Sequence, residues 1–216
     1  MSGLIWKDFL VMRKTLRLYM LFFAGYFLLA ILGIFDLSFV TSFSTVITLI
    51  LPVSIFSYDE INHWERFARA LPIGARGLVG ARYCFVLLLL GAVSLLSLIA
   101  GIVLSLAGSG SLPEGVATLL VSMGIGLLVV DIMLPLNYKM GPERARPYLF
   151  AILFLPFIGL FLLEKAGAFQ GLDLSFLDRI PPIAAAGCFA LFPLAALIGL
   201  VLSFLVSCRI VENKEV

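Results

Sequence analysis

The chain has 216 residues, of which 62% are apolar and 13% are charged. A soluble domain cannot keep this much apolar surface away from water, so the composition excludes a soluble protein and indicates an integral membrane protein. The formal net charge of +2 is too small to indicate a nucleic-acid partner.

The predicted membrane-spanning segments are long apolar runs. A helix needs about 20 apolar residues to cross a hydrocarbon core about 30 Å thick. Six runs come close to that length: Leu18–Phe35, Ser38–Ser57, Tyr83–Ala107, Val116–Asn137, Tyr148–Leu163 and Pro182–Ser207. Backbone groups inside lipid must bond within their own segment, so we expect these runs to be helices. The predicted fold class is all-α, a polytopic membrane protein with six transmembrane helices in a single domain.

The basic residues predict the orientation of the spans. Of the 15 Lys and Arg residues, all but two lie before the first span, after the last span, or in the loops that follow the second and fourth spans. The two exceptions are Lys165 and Arg179. Cytoplasmic loops of membrane proteins carry an excess of Lys and Arg, so both termini are predicted to be cytoplasmic.

The loop between the second and third predicted spans has the pattern of a short amphipathic helix, Asp59–Leu71. Its apolar positions recur with helical spacing and form one stripe: Ile61, Trp64, Ala68 and Leu71. The opposite face is polar and carries Asp59, Asn62, His63, Arg66 and Arg69. Pro72 and Gly74 are expected to end this helix before the third span. Two interpretations remain open, an interfacial anchor held by Trp64 or a docking surface for a cytoplasmic protein.

Asp131 is the one acidic residue well inside a predicted span. A charge at that depth is costly unless it is paired or hydrated, so an embedded acid is by default a functional candidate. The helical rise places it about 9 Å from the cytoplasmic end of its span. A structural role is therefore also open, in which the side chain reaches toward the headgroups or pairs with Arg82 or Lys139.

The sequence has no residue set typical of a catalytic, cofactor-binding or metal-binding site. Cys84, Cys188 and Cys208 are far apart and lie in or at the ends of spans, so we expect them to pack as small apolar residues. His63 is the only histidine, which argues against a histidine-based metal or acid–base centre. No phosphate-binding loop of the type GxxxxGKS or GxxxxGKT occurs, so energy from ATP would have to come from a partner.

Three polar segments carry a common set of motifs. The first loop has Asp59-Glu60, Trp64, Leu71-Pro72-Ile73, Val79 and Arg82-Tyr83. The second loop has Pro135-Leu136, Tyr138-Lys139, Gly141, Glu143 and Ala145-Arg146, while Lys7-Asp8 and Arg13-Lys14 precede the first span. Together they resemble small permeases of the type-two ABC exporters, the group that includes bacterial exporters of phenol-soluble modulins and antimicrobial peptides. One position departs from that pattern, since Ala75 stands where the family usually has Arg and Arg76 follows it.

The resemblance implies a non-catalytic permease subunit of an ATP-driven exporter in the bacterial plasma membrane. Such a subunit pairs with a second permease copy or paralogue and with two separately encoded ATP-binding subunits, which bind ATP and Mg. The exported molecules would be amphipathic or antimicrobial peptides or lipid-like molecules. Met1–Leu16 resembles the interfacial elbow helix of the family, and Asp59–Leu71 resembles its coupling helix.

The resemblance also implies two sets of site residues. The expected ATPase-coupling residues are Asp59, Glu60, His63, Trp64, Arg66 and Arg69. The expected second-loop residues are Lys139, Gly141, Glu143 and Arg146. The expected partners are the ATP-binding subunit, the second permease subunit and membrane lipids, with no nucleic acid.

Two other function classes remain as alternatives. An intramembrane enzyme would use Asp59, Glu60, Glu65 and His63 as a metal or acid–base cluster, but Trp64 stands where a membrane protease of the CAAX-processing type needs Arg. These carboxylates also lie in a loop rather than at membrane depth. A secondary transporter would need coupling residues near the membrane midplane, whereas the one embedded candidate, Asp131, lies low in its span.

Overall fold

The computed structural model describes residues 2–34, 50, 53–69, 73–106, 112–165 and 182–214. Every regular element in these residues is an α-helix, which confirms the all-α prediction for this part of the chain. The helices are α1 (Ser2–Ile31), α2 (53–61), α3 (Trp64–Arg69), α4 (Gly74–Leu106), α5 (Leu112–Met140), α6 (Pro142–Lys165) and α7 (Pro182–Lys214).

Four described helical segments are long and apolar enough to cross a membrane: Ser2–Ile31, Gly74–Leu106, Gly115–Met140 and Pro193–Lys214. They overlap the first, third, fourth and sixth predicted spans and support a multi-pass membrane protein. Helix α6 contains the predicted fifth span, Tyr148–Leu163. Most of the predicted second span, Ser38–Ser57, lies outside the described residues, so the count of six stays a prediction.

Helix α1 runs without a break through 30 residues. The sequence predicts an elbow helix over Met1–Leu16 and a separate span from Leu18, whereas the structure has one helix through this boundary. The reason is local, because the residues from Arg13 to Leu18 include no Pro or Gly and consist mainly of good helix formers. That the first half lies along the membrane surface stays a prediction.

The single helix predicted over Asp59–Leu71 is divided in the structure. Helix α2 ends at residue 61, and Asn62 and His63 form a turn before α3. The Asn62 side chain donates from Nδ2 to the carbonyl oxygen of Tyr58 over 2.7 Å, and the backbone N–H of His63 donates to Glu60 over 3.1 Å. His63 has a φ of 51°, a left-handed conformation that ends helices and that His and Asn adopt more readily than most residues. The last residues of the predicted helix lie outside the described part.

Helix α5 lies at the centre of the described bundle. Its contact with α7 is the most extensive between any two described helices. Helix α5 also contacts α4 and α6, and α1 packs against α4. The largest described core cluster joins α2, α4, α5 and α7 through Phe56, Val79, Tyr83, Val86, Val130, Leu134 and Cys208. Cys208 is thus a buried packing residue, as predicted, whereas Cys84 is exposed. Large apolar side chains such as Leu88 and Leu95 face outward, as expected of a surface in contact with lipid.

Candidate functional site

Four charged side chains from three helices meet where α1 begins, α2 ends and α4 begins. They are Lys7 and Asp8 of α1, Asp59 of α2 and Arg82 of α4, and we call them the charge cluster. Arg82 donates from Nη2 to Asp59 Oδ2, and its Nη1 lies 3.0 Å from Asp8 Oδ2. Lys7 Nζ lies 2.8 Å from Asp59 Oδ1 and 3.0 Å from Asp8 Oδ1. Each cation therefore pairs with both carboxylates.

Three of the four residues of the charge cluster are shielded from water, whereas the Lys7 side chain is 22% exposed. Asp8, Asp59 and Arg82 are only 3%, 8% and 6% exposed. Each lies about one helical turn from a buried apolar residue, Asp8 from Met12, Asp59 from Phe56 and Arg82 from Val79. Burial of a charge is costly unless an opposite charge accompanies it. The charges of two cations and two anions offset one another here. The four side chains therefore hold α1, α2 and α4 together at this point.

Aromatic rings enclose the charge cluster. The guanidinium carbon of Arg82 lies 4.9 Å from the centre of the Phe56 ring, and Lys7 Nζ lies 4.0 Å from that of Trp64. Tyr138 of α5 packs edge-on against Phe56 with ring centres 5.0 Å apart. A cation over an aromatic face is attracted to it, and more strongly where water is excluded. These contacts bring α3 and α5 into the same assembly as α1, α2 and α4.

A cavity of about 520 Å³ borders the charge cluster. Besides the cluster itself, its walls come from the turn after α2, the turn between α5 and α6, and the end of α7. Glu60 and His63 belong to the first of these walls, Gly141 to the second and Lys214 to the third. The two loops whose motifs carry the family resemblance are therefore neighbours around one space.

The turn between α5 and α6 is built on Gly141. Its φ of 81° is one that residues with a side chain rarely adopt. The N–H of Gly141 donates to the carbonyl of Asn137 over 2.9 Å, and the N–H of Ala145 donates back to Gly141 over 3.1 Å. One turn into α6, Arg146 donates from Nη2 to Ser57 Oγ of α2 over 3.0 Å. The second loop is thereby fixed against the helix that carries Asp59.

The structure does not leave all the predicted coupling residues on one open surface. Asp59 is buried in the charge cluster and Trp64 is half-buried, whereas Glu60 and His63 are exposed. The side chains of Arg66 and Arg69 lie outside the described part. In the second loop Lys139, Glu143 and Arg146 are exposed, and Gly141 is half-buried. The exposed members share the end of the bundle that contains the charge cluster.

Two face assignments in the first loop were wrong. The sequence places Asp59 on the free polar face and Ile61 on the apolar face held against the membrane domain. The structure buries Asp59 and leaves Ile61 72% exposed. The cause is the left-handed conformation of His63, because it ends α2. The helical spacing of apolar residues in α3 therefore does not continue into α2. The orientation of α2 is set by Phe56 and Asp59 and is independent of the stripe that runs through α3.

Lys7, Asp8 and Arg82 are site residues that the sequence did not single out for this role. Charged residues next to a span are usually solvated, and the composition does not indicate that some of them are buried. A signal existed in the motifs, since Lys7-Asp8, Asp59-Glu60 and Arg82-Tyr83 all belong to the segments that carry the family resemblance. The structure shows that these three motifs meet in space.

The arrangement is poorly suited to acid–base chemistry. Both carboxylate oxygens of Asp59 are bound by cations, and His63 is exposed in a turn outside the charge cluster. Within the described ranges, no group of three His, Cys, Asp or Glu residues could hold a metal ion. What the geometry does provide is a set of ion pairs that connects a polar loop to two long helices, α1 and α4.

A second polar group lies deeper in the bundle, between α4, α5 and α7. The phenol oxygen of Tyr83 is 2.7 Å from Ser203 Oγ and 2.8 Å from Ser207 Oγ. Ser203 Oγ in turn donates to the backbone carbonyl of Asp131 over 2.5 Å. The Asp131 carboxylate takes no part, because both of its oxygens are buried without a hydrogen-bond partner. The structure shows neither predicted pairing, since Arg82 is held by the charge cluster and Lys139 is exposed.

Replacing Tyr83 by Phe is expected to lower the free energy of unfolding by about 1 kcal/mol, the usual size of a hydrogen bond between membrane helices. The change removes the oxygen that joins α4 to Ser203 and Ser207 while keeping the ring against Phe204. Chemical unfolding in detergent micelles measures the effect. Tyr148→Phe is the matched control, because Tyr148 is exposed on α6. Equal stability of the two variants would contradict a role for this hydroxyl in holding α4 to α7.

Comparison with known proteins identifies a family. A family model described as ABC-2 family transporter protein matches residues 3–212, which is nearly the whole chain. No curated protein and no solved structure matches the chain.

Proposed function

The chain belongs to the ABC-2 family of transporter proteins, and from this premise we propose that it is the permease subunit of an ATP-driven exporter. Membership of this family makes it a membrane component of an ABC transporter that associates with an ABC ATP-binding subunit. The direction of transport, the substrate and the stoichiometry are parts of the proposal. So is its place in the bacterial plasma membrane with both termini in the cytoplasm, which the distribution of Lys and Arg supports.

The observation that carries the proposal is the connection of Asp59 to two helices at once. Asp59 lies near the end of α2, and its carboxylate oxygens are bound by Lys7 of α1 and Arg82 of α4. Trp64 of α3 lies against the same Lys7. A displacement of the α2–α3 segment would therefore be transmitted to both long helices through largely buried ion pairs. This is the mechanical requirement for a segment that couples a partner's motion to the membrane.

The face available for that partner is the exposed surface of the α2–α3 segment. Ile61 and Phe67 are exposed there, together with the polar side chains of Glu60 and His63. An exposed pair of large apolar residues with polar neighbours has the composition of an interface centre with its rim. We propose that the ATP-binding subunit, which binds ATP and Mg, docks on this face. Arg66 and Arg69 belong to the same segment and are proposed to contribute charge to the contact.

The proposed substrates are amphipathic or antimicrobial peptides or lipid-like molecules. The resemblance of the loop motifs to exporters of such peptides supports this class. The 19 Phe residues of the chain are consistent with a path for molecules that are partly apolar. Transport of labelled amphipathic peptides into inverted vesicles would identify the class, with a hydrophilic peptide of equal length as the comparison.

A complex of two permease and two ATP-binding subunits is the expected assembly, because this chain has no phosphate-binding loop of its own. The test is native mass measurement after co-expression with an ATP-binding subunit encoded by a neighbouring gene. We expect the mass of a two-plus-two complex, and ATP hydrolysis that depends on the permease. A protein that stays monomeric and binds no ATP-binding subunit would overturn the proposal.

A further inference from the structure

Asp131 occupies the most extensive helix contact of the described bundle, the one between α5 and α7. Its Oδ1 and Oδ2 are both buried, and neither has a hydrogen-bond partner. An ionised carboxylate is expensive at such a place, because an unpaired charge away from water is not offset and the group neutralises instead. The proposed permease role uses the charge cluster and the α2–α3 segment and leaves this acid unexplained.

No cation of the described chain neutralises Asp131. The charged residues of α4, α6 and α7, which pack against α5, are Arg76, Arg82, Glu143, Arg144, Arg146, Glu164, Lys165, Arg209, Glu212 and Lys214. All of these except Arg82 are exposed near helix ends, and Arg82 is bound by Asp8 and Asp59. The described part of helix α2, which also contacts α5, adds two acids, Asp59 and Glu60. Lys139 of α5 itself is exposed. In the core, the phenol of Tyr83 from α4 interacts electrostatically with Asp131, and a phenol is neutral in its ordinary state.

Helix α7 meets the carboxyl group at Gly199 without a gap. A Cβ placed on Gly199 would lie 2.6 Å from Asp131 Oδ2 and 3.6 Å from its Cγ. Atoms in ordinary contact stay about 3.5–4.0 Å apart, so the carboxyl group fills the place that a side chain at this position would need. No room remains on that side for a hydrated ion.

The neighbouring hydroxyl groups are not arranged around the carboxyl group. Because Ser203 donates to the backbone carbonyl of Asp131, its oxygen is free to accept from Tyr83, and Ser207 can donate to Tyr83. This chain of hydrogen bonds ends on the backbone carbonyl of Asp131 rather than on its Oδ1 or Oδ2. A metal cation requires several oxygen ligands directed at one point. A proton requires only one oxygen.

We propose that Asp131 is a proton-binding site in the contact between α5 and α7. In the packed conformation the carboxyl group carries the proton and is neutral. When the two helices separate and water reaches the group, the O–H bond breaks, the proton passes to water and a carboxylate remains. The helices close again only after a proton has been taken up. This inference is independent of the transported substrate and of the ATP-binding partner.

Infrared spectroscopy of the full-length protein in micelles of dodecyl maltoside, a detergent without ester or carboxyl groups, tests the proposal directly. Near neutral pH we expect the carbonyl band of one neutral carboxylic acid in the wild type, because exposed acids are ionised there. Asp131→Asn should abolish that band. Glu212→Gln, which alters an exposed acid of α7, should leave it unchanged. A wild type without the band, or a band that survives Asp131→Asn, would overturn the proposal.

A second variant keeps the test decisive if Asp131→Asn does not fold. Gly199→Ala retains the acid but adds a Cβ where Oδ2 now lies, so the band should shift in frequency as the carboxyl group moves. An unshifted band would assign it to a different acid and overturn the inference. Exchange of choline for Na⁺ or K⁺ at constant ionic strength should have no effect. Loss of the band on adding either ion would mean that Asp131 binds that cation instead of a proton.

Stability provides an independent readout. If the folded protein holds this proton and the unfolded chain releases it, the folded state binds more protons and the free energy of unfolding falls as pH rises. The loss should begin above the ordinary pKa of an aspartic acid, near 4, and continue toward neutral pH. Asp131→Asn should remove this part of the pH dependence. A pH dependence equal in the two proteins would contradict proton binding.

Discussion

Replacing Arg82 by Leu is expected to lower the free energy of unfolding by about 3–5 kcal/mol, the usual cost of removing one partner from a buried ion pair. The cause is the buried negative charge that the substitution leaves unpaired. Asp8 and Asp59 would stay buried with Lys7 as their one cation in the charge cluster, and one negative charge would be left without compensation. The measurement is chemical unfolding in detergent micelles, followed by the amount of folded protein that reaches the membrane. The expected loss is a large share of the stability of a typical domain.

The chain offers a matched control on the same helix. Arg76 pairs with Glu212 at 3.4 Å, but its side chain is 83% exposed. Exposed ion pairs contribute at most about 1 kcal/mol, so Arg76→Leu should have little effect. Arg82→Lys should recover part of the stability, because it restores the charge but not the two separate contacts of a guanidinium group. Equal losses for Arg76→Leu and Arg82→Leu would show that the charge cluster is hydrated and does not join the helices.

Replacing Ile61 and Phe67 together by Ser should weaken binding of the ATP-binding subunit by roughly 30-fold or more. Residues at the centre of an interface commonly contribute 2 kcal/mol or more, and about 1.4 kcal/mol corresponds to a factor of ten. The fold should be preserved, since both side chains are exposed and such substitutions usually change stability by less than about 0.5 kcal/mol. Binding of purified ATP-binding subunit to the permease in nanodiscs gives the affinity.

Trp64→Ala separates docking from transmission. Trp64 is half-buried against Lys7, so its loss loosens α3 from the charge cluster. It also removes a ring contact with Phe67, whose ring centre lies 5.2 Å away, but it leaves Ile61 and the Phe67 side chain available for docking. We expect this variant to retain most of its affinity for the ATP-binding subunit but to hydrolyse ATP with little transport. If the Ile61 and Phe67 double variant bound normally, the α2–α3 segment would be an interfacial anchor. In that case docking would have to occur elsewhere on the protein.

The apolar runs predicted the fold class because this class depends on a single property, the preference of apolar side chains for an environment without water. The α4 and α5 helices fall where Tyr83–Ala107 and Val116–Asn137 predicted them, although both extend further into polar sequence. The break between α2 and α3 escaped prediction for a different reason. Asn62 and His63 are acceptable inside a helix, and the Ile61 and Trp64 stripe continues across them. Only the local hydrogen bonds show that the helix ends there.

The charge cluster could not be predicted from periodicity. Lys7 and Asp59 are 52 residues apart, and the pattern within one helix contains no information about which other helix it meets. For Asp131 the apolar run indicated its depth in the membrane but not its neighbours. The expectation of a basic partner followed from distances along one helix. The structure shows Gly199 in that place, and a glycine has no property that would indicate its contact with an acid in advance.

The charge cluster also determines when the first half of the protein can become complete during synthesis. Lys7 and Asp8 leave the ribosome early, while Arg82 follows only after the whole α2–α3 segment. Domains and helices are made from the N-terminus at a limited rate, so α1 exists for a time without Asp59 and Arg82. During that interval Lys7 and Asp8 have only each other within the cluster. The final position of α1 is therefore fixed by a residue that is translated after it, and the nascent chain cannot close this end of the bundle until α4 arrives.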